Sequence, residues 1–239
     1  MKRALPPVLL LSTLAFSSEE PKGKLWSVHI ELSYVRTSGN IDTQTLSEKL
    51  EIKREGKVNR FFLKNSALYS TQDNRETANR IDASGRWERL FTERFFGFLT
   101  TGYERDKFSG YEYKVNGGPG IGYDLLKTEK HELKLLLSTP YYYNKVENDG
   151  VDNYGTAKAE LYYQWNILEN LRLKENANYL VNLSDTKTYF VNSETSLEVK
   201  INSNISLGVG YKLAYQNRPP EPGIKRTDTT FSTSLIIDF

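Results

Sequence analysis

No cysteine occurs among the 239 residues of this chain. That removes disulfides, a thiol nucleophile, a thiolate metal site and a lipoprotein anchor. No run approaches the ~18–20 apolar residues that a membrane-crossing helix needs, which excludes a helical membrane protein. Neither sign of charge dominates: 32 Lys and Arg stand against 30 Asp and Glu, a formal net charge of +2. A chain so nearly neutral lacks the electrostatic footprint of a nucleic-acid binder, and none is expected as a partner. Histidine is scarce, and His29 and His131 share no spacing with carboxylates that suggests a metal site, so no metal or other cofactor is expected.

Aromatic side chains are plentiful instead, with 16 Tyr, 11 Phe and 3 Trp making 13 % of the chain. The first residues read as an export address. Lys2 and Arg3 precede an apolar stretch from Ala4 to Phe16, and Ala15-Phe16-Ser17 places small residues where a signal peptidase cuts. Pro6 and Pro7 argue against a buried N-terminal helix. We expect residues 1–17 to be a cleaved signal peptide and residues 18–239 to form one exported domain.

From Leu25 to the end the hydrophobic pattern keeps a period of two, the mark of half-buried strands. Trp26, Val28, Ile30, Leu32 and Tyr34 alternate with Ser27, His29, Glu31 and Ser33. The same alternation sets Phe61, Leu63, Ala67 and Tyr69 against Lys64, Ser66 and Ser70. It sets Leu133, Leu135, Leu137, Tyr141 and Tyr143 against Glu132, Lys134 and Ser138, and Ile205 to Tyr215 against Ser206, Gly208, Gly210 and Lys212. The run Phe95 to Arg105 alternates too weakly for its faces to be assigned. Twelve such runs are counted, an even number.

Short connections alternate with more polar and mostly longer ones, at Arg36–Thr43, Thr71–Asn79, Asp106–Tyr113, Asn144–Gly155 and Asn217–Arg226. Asp185-Thr186-Lys187 is a short loop where a long one is due. Tight turns at one rim and longer loops at the other suit an up-and-down meander such as an outer-membrane barrel.

A soluble sandwich would alternate as well, so the faces must decide. Tyr34, Tyr69, Tyr141, Tyr143, Tyr179, Tyr189 and Tyr215 lie at the loop ends of their strands. Trp26, Trp87, Trp165, Phe91 and Phe239 lie at the turn ends. Two aromatic girdles flanking Leu, Val, Ile, Ala and Gly fit a membrane belt, since a tyrosine prefers the interface between hydrocarbon and water. In hydrocarbon every strand N–H and C=O must be paired, so the sheet must close. The expectation is a closed, antiparallel, all-β transmembrane barrel of about 12 strands in the bacterial outer membrane. Its surroundings would be outer-membrane lipid and lipopolysaccharide.

Three segments carry a closer resemblance: SYVRTSGNIDTQTL (Ser33–Leu46), YERDKFSGYEYKVNGGPGIGYDLLKTEKHEL (Tyr103–Leu133), and TSLEVKINSNISLGVGYKLAYQNRPP with TDTTFSTSLIIDF (Thr195–Phe239). They resemble the family of salt-induced outer-membrane proteins, also catalogued as domain of unknown function 481. Ile41 departs from the Thr that the family places after Asn40. The resemblance implies an outer-membrane barrel with a loose link to salt or osmotic response, and it supplies no activity or catalytic residue. It is also by resemblance that Phe239 reads as the terminal signal taken up by the barrel-assembly machinery.

No catalytic constellation emerges. His29 and Glu31 share a strand face and could support acid–base work, but a small barrel lumen carries such groups anyway. Gly117-Gly118-Pro119-Gly120-Ile121-Gly122 precedes no helix, so it is not a nucleotide loop; its small residues make room for bulky neighbours or let the sheet bend. The candidate lumen residues carry both signs: Lys49, Lys64, Arg80, Arg86, Lys134, Lys158, Arg172, Lys174 and Lys212 against Glu31, Glu51, Asp82, Glu132, Glu160, Glu194 and Glu198, together with His29. Such a lumen suggests a narrow or salt-bridged, plugged channel for small solutes or ions. A non-conducting structural or adhesive barrel is the alternative, and an outer-membrane hydrolase a more distant one.

Overall fold

The computed structural model describes residues 25–37, 42–147, 150–218 and 226–239. The expected leader, residues 1–17, lies outside them, as do parts of the loops at 38–41 and 219–225. Thirteen strand segments follow one another: β1 (Trp26–Thr37), β2 (Thr43–Glu55), β3 (Asn59–Gln72), β4 (Arg75–Leu90), β5 (Phe95–Asp106), β6 (Tyr111–Lys127), β7 (His131–Ser138), β8 (Tyr141–Val146), β9 (Val151–Leu168), β10 (Leu171–Asn182), β11 (Tyr189–Lys200), β12 (Ile205–Gln216) and β13 (Thr227–Asp238). Both β7 and β8 pair with β6 on one side and β9 on the other, so they are two halves of one crossing. Twelve staves therefore form a closed antiparallel ring, each beside its chain neighbour, with β13 returning to β1.

The break in that one crossing has a covalent cause. Pro140 has no N–H to give the ladder, but its carbonyl accepts both the Thr156 N–H at 3.0 Å and the Thr156 hydroxyl at 2.7 Å. Across from it, a Cβ on Gly118 would stand 2.6 Å from the Thr139 carbonyl oxygen. The interruption leaves the in–out parity intact, since Leu137 and Tyr141 on its two sides are both exposed on the outer face.

The loop rim differs from expectation. The segment Thr71–Asn79 is mostly strand: β3 and β4 meet at a two-residue turn, Asp73–Asn74, where both residues have positive φ (49° and 63°). That is the turn whose twist matches a hairpin, and Asp and Asn tolerate it. Asp106–Tyr113 and Asn144–Gly155 likewise shrink to residues 107–110 and 147–150. Polar sequence does not end a strand while the partner strand still offers backbone groups, so these hairpins run on into water. The short loop at Asp185 is fastened by its own side chains. Asp185 accepts hydrogen bonds from the Thr188 hydroxyl (2.8 Å) and the Lys187 N–H (3.2 Å), and Arg218 lies 3.0 Å away. The Thr188 bond first, then the backbone and Arg218, hold this exposed carboxylate below its usual range. The fastening should therefore persist above the ordinary Asp value of ~3.9 and loosen as pH falls through the lowered one. Amide exchange of Lys187 across that interval measures it.

β5 acquires its faces here. Leu99 and Tyr103 point outward, and Phe96 and Phe98 point inward to form a buried cluster with Leu136. The glycine ladder of β6 is what admits the two rings. A Cβ on Gly120 would lie 2.2 Å from Phe98, and one on Gly122 would lie 2.2 Å from Phe96. Gly120→Ala should accordingly cost about 1–3 kcal/mol through overpacking. Thermal unfolding in detergent measures that loss, and Phe98→Leu should restore some of it in the double variant.

The outer face bears the two aromatic girdles. Tyr103, Tyr113 and Tyr143 stack in sequence at 6.3 and 6.5 Å, and Tyr179, Tyr189 and Tyr215 follow at 5.7 and 6.0 Å. At the turn rim the Arg54 guanidinium lies 5.7 Å from the Trp26 ring and 5.9 Å from the Phe61 ring. His131 stacks between Tyr163 and Trp165 at the same rim. Between the girdles the exterior is mostly Leu, Val, Ile, Ala and Gly. Glu175 is an exception there, and its carboxylate is satisfied by the hydroxyls of Ser193 (2.7 Å) and Thr195.

Candidate functional site

The inward residues of the strands divide the interior into two chambers in series. The turn-side cavity measures about 380 Å³ and the loop-side cavity about 650 Å³. Seven residues wall both: Glu31, Lys49, Phe62, Lys64, Arg86, Tyr162 and Glu194. They form the waist. Phe62 and Lys64 come from β3, Arg86 from β4 and Tyr162 from β9, which stands five staves round the ring from β3 and four from β4. The Arg86 guanidinium stands 4.7 Å from the Phe62 ring centre and 5.6 Å from that of Tyr162. The Lys64 ammonium is 6.0 Å from the Tyr162 ring. Beside this aromatic bar, Lys49 of β2 reaches Glu31 (3.3 Å), Glu51 (3.7 Å) and, across the lumen on β11, Glu194 (3.6 Å). Glu51 also takes a hydrogen bond from Lys64 at 2.7 Å.

Below the waist, one wall is filled solid. Glu88 has no exposed surface and sits 2.6 Å from Arg60 Nε and 3.0 Å from Arg86 Nε. These contacts are close but poorly directed, and neither Glu88 oxygen has a hydrogen bond of good angle. Arg60 also donates to Asp124 at 3.3 Å, and Lys134 lies 3.7 Å from the same carboxylate. Phe96 lies under this group, with the Arg60 guanidinium 4.5 Å from its ring centre. Desolvated charges are tolerated because each faces an opposite charge or an aromatic face.

The other wall holds the closing strands. His29 Nδ1 is 2.6 Å from Asp238 Oδ1, and its Nε2 is 2.9 Å from Glu31 Oε1. Arg172 binds the buried Glu198 at 2.6 Å and lies 3.7 Å from Asp238. Lys174 completes the group, 2.6 Å from Glu198. His29→Ala should leave Asp238 and Glu31 without their common partner across the β1–β13 junction. A loss of about 1–3 kcal/mol is expected, read as a lower unfolding temperature in detergent.

The remaining sequence candidates have definite places. Arg80 pairs with Asp82 (2.8 Å), and Lys158 with Glu160 (2.9 Å), all four on the loop-side cavity wall. Lys212 is on that wall too, and Glu132 and Lys134 are on the turn-side wall. Phe239 exchanges backbone hydrogen bonds with Val28 and leaves its ring exposed at the turn rim. The sequence reading missed Arg60 and the inward aromatics Phe62 and Tyr162. The available signal was parity, since Arg60 and Phe62 share a register with Lys64. An apolar residue on a polar face is easily set aside as noise. Among the described residues no group of His, Asp and Glu is arranged to hold a metal ion.

A closed antiparallel ring with an apolar, aromatic-edged exterior and a charged, ion-paired interior defines a transmembrane β-barrel of the outer-membrane type. The solved structures agree on the fold. An outer-membrane channel from Pseudomonas putida F1 superposes with a TM-score of 0.54 at 9 % identity, covering 92 % of this chain and 99 % of that one. A NanC porin superposes with a TM-score of 0.52 at 10 % identity, covering 88 % and 97 %. The chain belongs to the family described as "Protein of unknown function, DUF481", whose model matches residues 30–239. It is similar to the uncharacterized protein YdiY of Escherichia coli strain K12, 22 % identical over 207 residues, covering 87 % of this chain and 81 % of that one.

Proposed function

We propose that the protein is an outer-membrane channel for small solutes or ions, held nearly shut by the charged and aromatic waist. The observation that carries this reading is the pair of lumenal chambers separated by one shared ring of seven side chains. A purely structural barrel would have no need for two cavities aligned through one thin constriction. The waist joins both signs of charge, so weak ion selectivity is expected; strong selectivity takes a ring of one sign. Refolded protein in a planar bilayer should give small, flickering currents with little preference between cation and anion. Silence at all voltages and solutes would instead favour the non-conducting, envelope-stabilising reading, for which the solid wall around Glu88 is the supporting feature.

Salt response has a direct physical route in this lumen. The side chains of Lys49, Glu31, Glu51 and Glu194 keep 33, 23, 29 and 41 % of their exposure, so mobile ions reach them. Raising ionic strength from ~0.1 to ~1 M shortens the screening length from ~10 to ~3 Å and weakens such pairs. Conductance should then rise faster than the conductivity of the bath. Strict proportionality would remove the salt gate and leave a fixed pore.

The hydrolase alternative finds little support, because both ring nitrogens of His29 face carboxylates rather than a hydroxyl. Delivery to the membrane would rest on residues 1–17 as a cleaved leader and on the Phe239 ring as the assembly signal.

A further inference from the structure

The junction that closes the barrel is paired over only a fraction of its length. The register of β1 on β13 runs from His29–Asp238 to Leu32–Leu235, and Val28 and Phe239 extend it by exchanging backbone hydrogen bonds. Beyond Leu32, β1 continues to Thr37 against β2, and β13 starts at Thr227 against β12, but the two do not pair with each other. Hydrogen-bonded and non-bonded pairs alternate in an antiparallel ladder. With Val28–Phe239 bonded, the backbone groups of Tyr34 on one side and of Thr229, Phe231 and Thr233 on the other point into the gap.

The unpaired stretch borders the loop-side chamber. Ser33 of β1 and Asp228, Thr230, Ser232 and Ser234 of β13 all line that cavity. Thr230 and Asp228 share the inward register of the buried Ile236 yet are exposed, as befits the edge of an opening. The outer lips are aromatic: Tyr34 is 60 % exposed and Phe231 69 %. Polar inside and apolar outside, the opening stands at the level of the loop-side girdle, where lipid headgroups meet water. Lys212 and Asp228 line the cavity beside it on adjacent strands, Lys212 opposite Thr230 and Asp228 opposite Ala214. Neither has an ion-pair partner among the described residues, in a lumen where most charges have one.

We propose that the upper β1–β13 gap is a lateral port through which a single-chain zwitterionic amphiphile of the outer leaflet enters the loop-side chamber headgroup first. Its phosphate would meet Lys212, its ammonium Asp228, and its chain would remain between Tyr34 and Phe231. The unpaired backbone groups at the lips suit this occupant, because a polar head and its water satisfy them where hydrocarbon would not. A port of this kind would exist whether or not the waist conducts, so the two readings fail separately.

The absence of native cysteine makes the test clean. Val35 and Ser232 would face each other at a non-hydrogen-bonded position if the register continued, an excellent geometry for a disulfide. In Val35→Cys/Ser232→Cys protein refolded into vesicles, oxidation should yield no direct disulfide, whereas a longer bismaleimide should bridge the thiols. The unbridged variant should take up lysophosphatidylethanolamine from donor vesicles, and bridging should reduce uptake about tenfold. Lys212→Ala and Asp228→Ala should each weaken uptake by a similar factor. Water-soluble phosphoethanolamine should bind weakly and be indifferent to the bridge. Complete direct oxidation of the cysteine pair would show the gap to be closed and overturn the proposal. So would unchanged uptake by the bridged protein, or equal binding of the soluble headgroup, since either makes the open top the route.

Discussion

Arg60→Ala is expected to destabilise the barrel by about 3–5 kcal/mol, the range for removing one partner of a buried ion pair. Glu88 has no exposed surface and Asp124 only 5 %, and Arg60 is the group that contacts both. Its loss leaves two carboxylates competing for Arg86 and Lys134 alone. It also strips the cation from the Phe96 face and opens a void beside the ring. Urea unfolding in lipid vesicles, followed by tryptophan fluorescence, would register the change as a lower midpoint with a similar slope. If charge is the cause, Arg60→Lys should recover part of the loss, because it keeps a cation facing Glu88 and Asp124. An Arg60→Ala variant as stable as the parent would mean that water reaches Glu88, and the description of a solid wall would be wrong.

The second large effect concerns the waist. Arg86→Ala/Tyr162→Ala removes the bar that crosses from β4 to β9 while keeping the Lys49 pairs in place. Single-channel conductance should rise several-fold and flicker should diminish, because the two chambers would merge. Lys49→Ala alone should act differently. It frees Glu194 and leaves Glu31 with His29 and Glu51 with Lys64, so the waist loses a cation and the current should shift toward cation selectivity. A shift of reversal potential under a salt gradient separates the two outcomes. If neither variant changes the current, the constriction lies elsewhere.

The period-two pattern carried the ring, its strand number and its outer face, because lipid imposes the same demand on every outward position. Trp26, Val28, Ile30, Leu32 and Tyr34 all answer to one solvent. The interior obeys no such single rule. Phe96 and Phe98 are inward because Gly120 and Gly122 lie opposite them, a relation between two strands that neither strand displays alone. For the same reason β5 had no legible faces and the plug around Arg60 went unseen. Loop lengths were misread at Thr71–Asn79 because polarity marks the departure from hydrocarbon and not the end of pairing; the turn at Asp73–Asn74 comes later. The unequal length of the β1–β13 junction was also hidden, since TDTTFSTSLIIDF alternates well over its whole span while only its final residues pair with β1.

Both described ends of the chain reach the same rim, with Val28 and Phe239 joined through their backbones. Linking the ends there and cutting at Asp73–Asn74 would give a circular permutant whose every stave keeps its neighbours. Such a molecule would separate the stability of the ring from the proposed role of Phe239 as an assembly signal. Its spontaneous refolding in vesicles, set beside its delivery in living cells, would assign each property to its own residues.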